Sequence, residues 1–161
     1  MRYALLALTL IALPLSACAT TPAPVNAIAK AQPYAGIIKQ AGKLKVRSDS
    51  YAKAPSLTLL KNEKFQAFTA DVGSLSEQNL KAHFDMKARG TDNDLKCVLK
   101  GVSIDLKLKH DALITAKTDA ELKHTLDELS ALLSDNIDVI TTPATVQSGM
   151  DCVLEFGPSG N

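Results

Sequence analysis

The side chains best suited to acid–base work or metal binding near neutral pH are the three histidines, His83, His110 and His124. His110 and His124 lie equally far on either side of Lys117, so a chain that turns there sets them opposite each other. Asp111, Asp119 and Asp127 stand near enough in sequence to offer a third ligand. A zinc or copper site needs three or four such groups converging. Two histidines on the solvated flanks of a helical hairpin need nothing, so the pair is a weak metal candidate and no metal is expected. Haem is not expected either: there is no Cys-x-x-Cys-His, and nothing recommends Met86 and His124 as axial ligands. The chain has no Gly-x-Ser-x-Gly and no His-Glu-x-x-His. Its densest carboxylates, Asp127, Glu128, Asp135 and Asp138, fall on or beside a polar helix face, and paired acids for glycoside hydrolysis need a cleft. No catalytic residue and no cofactor are assigned, and the expectation is a protein that is not an enzyme.

The elements that would position these groups are helical. Leu122, Leu126, Leu129, Leu133, Ile137 and Ile140 recur at steps of three and four, as one face of a helix does. Thr118 and Glu121 open that run with capping-box spacing, and Pro143 marks its stop. Leu95, Val98, Leu99, Val102, Leu106 and Leu113 form the face of a preceding helix that ends near Ala116. The connection at Lys117 is short enough to force antiparallel packing, so residues 92–142 read as a helical hairpin. A competing pattern runs through the first of these helices. Val102, Ile104, Leu106 and Leu108 alternate with Ser103, Asp105 and Lys107, which is a strand period, but the helix accounts for the whole run.

Upstream, Pro55 and Ser56 open a second helical pattern carried by Leu57, Leu60, Phe65, Phe68, Val72 and Leu75. Gly73-Ser74 interrupts it, and Leu80 and Phe84 continue one position out of phase, which predicts a kink or a new start capped by Ser74 and Glu77. Arg89-Gly90 is a C-cap. Residues 34–51 are read as irregular: Leu44 and Val46 alternate with Lys43, Lys45 and Arg47, as in a short strand or an extended basic arm. After Pro143 the tail is too short and Gly-rich for another helix, although residues 152–156 can cover a bundle.

The first 17 residues form a leader, with Arg2 as a basic n-region and an apolar stretch from Ala4 to Leu13 that falls short of the roughly 20 residues a membrane span needs. Leu15-Ser16-Ala17-Cys18 resembles the lipobox of bacterial lipoproteins. The resemblance implies cleavage before Cys18 and acylation of that cysteine. The same family's sorting rule, with Ala19 rather than Asp after the cysteine, implies the periplasmic face of the outer membrane. Several acyl chains hold firmly, at about 0.8 kcal/mol per buried methylene.

The 18 Lys and Arg residues face 17 Asp and Glu, and losing Arg2 with the leader brings the balance to neutral. A neutral total and a periplasmic compartment argue against a nucleic-acid partner. The distribution is uneven. Lys30, Lys39, Lys43, Lys45, Arg47, Lys53, Lys61 and Lys64 precede the hairpin with only Asp49 and Glu63 among them, whereas no Lys or Arg follows His124. With Cys18 lipidated, Cys97 and Cys152 remain, and an oxidising compartment favours their pairing. An antiparallel hairpin puts the start of its first helix beside the end of its second, where these two cysteines belong. A loop of about 55 residues closed in this way is worth roughly 4 kcal/mol on the chain-entropy model.

The resulting expectation is an all-α chain, a small bundle of three to four helices centred on the antiparallel hairpin. It comprises a signal peptide over 1–17, a flexible basic tether over 18–55, a helical domain over 56–156 and a frayed end over 157–161. Its expected role is that of a membrane-anchored binding or assembly factor for an envelope protein. The pilotins, small lipoproteins that escort secretin subunits, look like this in general plan, a likeness of architecture and address carried by no residue motif. Two alternatives stand beside it: a bundle that binds a small ligand or metal, which a polar residue pointing inward would favour, and a structural protein whose basic arm lies on anionic lipid or cell wall.

Overall fold

The computed structural model describes residues 26–90 and 93–142, and the expected leader, Cys18 and Cys152 lie outside them. Among the described residues the fold is all-helical, without strands. Four helices run up and down: α1 (Tyr34–Ala52), α2 (Glu63–Arg89), α3 (Asn93–Thr115) and α4 (Asp119–Thr141). Short 3-10 turns, Ala27–Lys30 and Leu57–Lys61, precede α1 and α2.

The hairpin forms with its turn where the spacing placed it, between Thr115 and Asp119. Thr118 Oγ1 accepts from the Glu121 amide at 3.1 Å. The return half of the box is shifted by one residue, since the Glu121 carboxylate accepts from the amide of Lys117 at 2.8 Å. The strand-like alternation in α3 is resolved by burial. Val102 and Leu106 are buried, while Leu108, which would share their face in a strand, is 59% exposed. The most extensive contacts join α2 to α3 and α1 to α4, so each arm of the hairpin finds its main partner outside it. Small residues line both seams. Ser76 donates to the Ser103 carbonyl at 2.7 Å and Ser48 to the Leu126 carbonyl at 2.8 Å.

The stretch 34–51, expected to be irregular and part of a flexible tether reaching 55, is instead a helix that supplies a quarter of the bundle. Tyr34, Ile37, Ala41, Leu44 and Ser48 are its buried face. Leu44 is 1% exposed and Val46 69%, so they point to opposite sides, as a helix requires and a strand forbids. The helix is hard to see in the sequence because its core face includes an alanine and a serine, which carry little hydrophobic contrast.

The kink expected at Gly73-Ser74 does not occur: α2 continues through both residues. The apparent phase shift has a physical cause. Leu80 and Phe84 are not core residues, being 36% and 56% exposed. The core stripe runs instead through Val72, Leu75, Ser76, Asn79, His83 and Met86, several of them polar. Gly73 sits against the His110 ring, which a Cβ there would meet at 3.4 Å. The helix starts later than Ser56, at Asn62, whose side chain accepts from the amides of Lys64 and Phe65 at 2.9 and 3.3 Å. It ends as expected at Gly90, in the left-handed region at φ 65°. At the end of the bundle where α1 finishes and α2 begins, Tyr51, Phe65 and Phe68 form an aromatic cluster with ring centroids 5.0 to 5.7 Å apart.

Candidate functional site

The structure does not gather the histidines. His110 lies in the α2–α3 seam over Gly73, and its Nδ1 donates to Asp111 at 2.9 Å. His124 is largely exposed on α4, with Nε2 3.3 Å from Glu128. His83 is buried, and its Nδ1 donates to the Lys96 carbonyl at 2.7 Å, a bond that ties α2 to α3. Among the described residues no three His, Cys, Asp or Glu side chains converge as a metal ion would need.

Three carboxylates of the hairpin are held by lysines on the surface, whereas Asp119 and Glu121 accept from the amides of Leu57 and Lys117. Lys107 holds Asp111 at 2.8 Å, Lys109 on α3 holds Glu128 on α4 at 2.7 Å, and Lys123 holds Asp127 at 2.6 Å. The Lys107 hydrogen bond, aided by His110, keeps the Asp111 carboxyl below its ordinary pKa, and the Lys109 hydrogen bond does the same for Glu128. Both shifts favour the charged form, the reverse of what a general acid needs. Asp49 on α1 is lowered too, first by the Ser130 hydroxyl that donates to it from α4 and then by Lys45.

The interior does contain polar groups, and they satisfy one another. Asn79 on α2 and Asn136 on α4, both fully buried, face each other across the bundle. Asn136 Nδ2 donates to Asn79 Oδ1 at 2.8 Å, Asn79 Nδ2 donates to Asn136 Oδ1 at 3.1 Å, and Asn79 Nδ2 also donates to the Leu75 carbonyl at 2.9 Å. Among the described residues no buried side-chain nitrogen or oxygen lacks a partner. The two amides bond to each other and to the Leu75 carbonyl, so each of their nitrogens and oxygens already has a protein partner without a ligand. Sequence reasoning missed both asparagines. The clue was the break in α2's apolar phase, which a polar core residue explains as well as a kink does.

Cys97 lies half-buried near the start of α3, at the end of the bundle where α4 finishes, and it is already engaged in an interaction. Asn26 donates its amide to the Thr141 carbonyl at 2.8 Å, so the chain also enters at this end. Two surface features remain. On the outer side of the α2–α3 pair, Leu80 and Phe84 lie one turn apart on α2, and Ile104 and Leu108 one turn apart on α3. Beside α1 an open hollow is lined by Lys39, Gln40, Lys43, Arg47, Asp71 and Ser74. No described helix is long and apolar enough to cross a membrane. No protein-family model, no curated protein and no solved structure matches this chain.

Proposed function

We propose that this chain is a lipid-anchored envelope protein, held through Cys18 at the periplasmic face of the outer membrane, that binds a protein partner and catalyses nothing. The address rests on the lipobox-like Leu15-Ser16-Ala17-Cys18. The observation that carries the binding role is Phe84, a large aromatic side chain left 56% exposed with Leu80 one turn before it. An exposed aromatic flanked by further apolar residues is where a protein interface gains most, because the side chain loses little rotamer freedom on burial. The self-satisfied interior and the paired surface carboxylates support binding over chemistry. Half-buried Ile104 and exposed Leu108 add apolar side chains on neighbouring α3, so the partner is a protein that offers apolar side chains of its own.

The same reading pairs Cys97 with Cys152. The described chain stops at Thr142, at the end of the bundle where Cys97 lies, and the ten residues from there to Cys152 are ample to return to α3.

A photoreactive residue at position 84, expressed in cells, tests the binding role. A discrete cross-linked protein that is lost on charge insertion beside it, as in Leu80→Asp, is the expected result. No cross-link from 84 or 108, with efficient cross-linking from exposed Lys123 on α4, would move the interface elsewhere and refute this assignment. Palmitate labelling that survives Cys18→Ser would refute the anchor separately.

A further inference from the structure

The face of α1 turned away from the core carries Lys39, Lys43, Val46 and Ser50, and its C-cap Lys53 continues the same helical spacing, so the five, spaced by four, three, four and three residues, form one straight stripe. All five are exposed, and the stripe contains no acid. The other cations of this helix are committed to the fold. Lys45 pairs with Asp49 at 2.9 Å, and Arg47 pairs with Asp71 at 2.6 Å, donates to the Lys64 carbonyl at 3.0 Å and stacks over Phe68. Among the described residues Lys39, Lys43 and Lys53 form no ion pair; Lys53 acts on Asp49 only through its field. The basic character of this region therefore divides into a structural part and a free part, which the sequence alone does not separate.

We propose that the stripe is a docking face for an anionic lipid surface. It runs along one helix for about 21 Å from Lys39 to Lys53 at 1.5 Å per residue, with Lys39, Lys43 and Val46 bordering the open hollow beside α1. Lysine ammoniums on flexible stems respond to a field of charge, whereas recognition of one shaped protein partner favours the rigid fork of arginine. The arginine here is the residue turned to structural use. Val46, 69% exposed between the lysines, suits the boundary between headgroups and acyl chains. The inference rests on the membrane address proposed above. Asn26, at the bundle entrance, lies eight residues from Cys18, a reach of at most about 29 Å, which lets a lipid at Cys18 and the stripe share one surface. Each lysine near an anionic surface weights the docked orientation by about fivefold, so three weight it by about a hundredfold, and salt removes the effect.

The test uses the mature protein purified from cells and mixed with excess vesicles of phosphatidylethanolamine and phosphatidylglycerol, or of phosphatidylcholine alone. Lysine acetylation is then followed site by site by mass spectrometry. Lys39, Lys43 and Lys53 should label about tenfold or more slowly on the anionic vesicles, with high salt restoring the rate and Lys107 and Lys123 unchanged. Lys43→Gln, an exposed change checked by circular dichroism, should cut the protection of Lys39 and Lys53 about fivefold. Equal labelling on both kinds of vesicle would overturn the proposal. So would protection seen only in native envelopes and never on pure lipid, which would assign the stripe to a protein. The same spectra report whether Cys18 is lipidated, so failure of the anchor and failure of the stripe are read separately.

Discussion

Replacing Asn79 or Asn136 with leucine, a near-isosteric change, should have unequal and non-additive effects. Asn79→Leu removes every partner of the Asn136 amide, leaving a buried donor group and a buried acceptor unsatisfied. Asn136→Leu leaves only Asn79 Oδ1 without a partner, because Asn79 Nδ2 keeps the Leu75 carbonyl. Each buried unsatisfied group costs about 1–3 kcal/mol, so Asn136→Leu should destabilise by about 1–3 kcal/mol and Asn79→Leu by about 2–5 kcal/mol. The double variant has no orphaned side chain apart from the freed Leu75 carbonyl, which already accepts within its helix. It should lie within about 1 kcal/mol of the parent, far from the sum of the two singles. Thermal melts of the whole chain by circular dichroism read this directly, at about 4 °C per kcal/mol for a domain of this size. The double variant should also lose specificity of helix register, visible as broader melting, since a buried polar pair penalises every alignment in which the two do not meet. Additive losses, or single variants as stable as the parent, would refute a dry and reciprocal amide pair.

Three further outcomes follow from particular contacts. Gly101→Ala should raise stability by about 0.5–1 kcal/mol in urea unfolding, because a Cβ there meets nothing within 4 Å and a mid-helix glycine costs backbone entropy. Ser130→Ala removes the largest cause of the lowered Asp49 pKa. A carboxyl lowered in the folded state stabilises above its unfolded pKa and loses that contribution as pH falls through the folded value. The variant should therefore melt below the parent at neutral pH, by at most about 1 kcal/mol given how open Asp49 is to water, and converge with it below about pH 4. Thiol titration of unfolded, unreduced protein should find none of the two Cys97 and Cys152 thiols free, and reductant should lower the melting temperature of the parent while leaving Cys97→Ser unmoved; two free thiols would dissolve the proposed bond.

The hairpin was legible in the sequence because each of its signs is local. A capping threonine, an uninterrupted leucine face on α4 and a short turn at Lys117 act within a few residues of one another, and the Gly90 cap has a backbone requirement that only its own φ expresses. Leucine-rich faces determine an all-helical bundle by themselves, since nothing else buries them at that period. The tertiary structure alone decided which face of α1 is core. Leu44 and Val46 are equally apolar in the sequence and opposite in the fold, and the choice follows from packing against α4, where Ser48, on the face of Leu44, bonds the Leu126 carbonyl. It also decided that Asn79 and His83 belong inside and Leu80 and Phe84 outside. These two polar residues occupy core positions because their partners arrive from other helices, Asn136 for Asn79 and the Lys96 carbonyl for His83. Those partners lie 57 and 13 residues away in the chain, where no local pattern reaches. The separation of structural from free cations on α1 has the same origin: Arg47 is spent because Asp71 on α2 comes to it, and Lys43 is left because, among the described residues, no acid does.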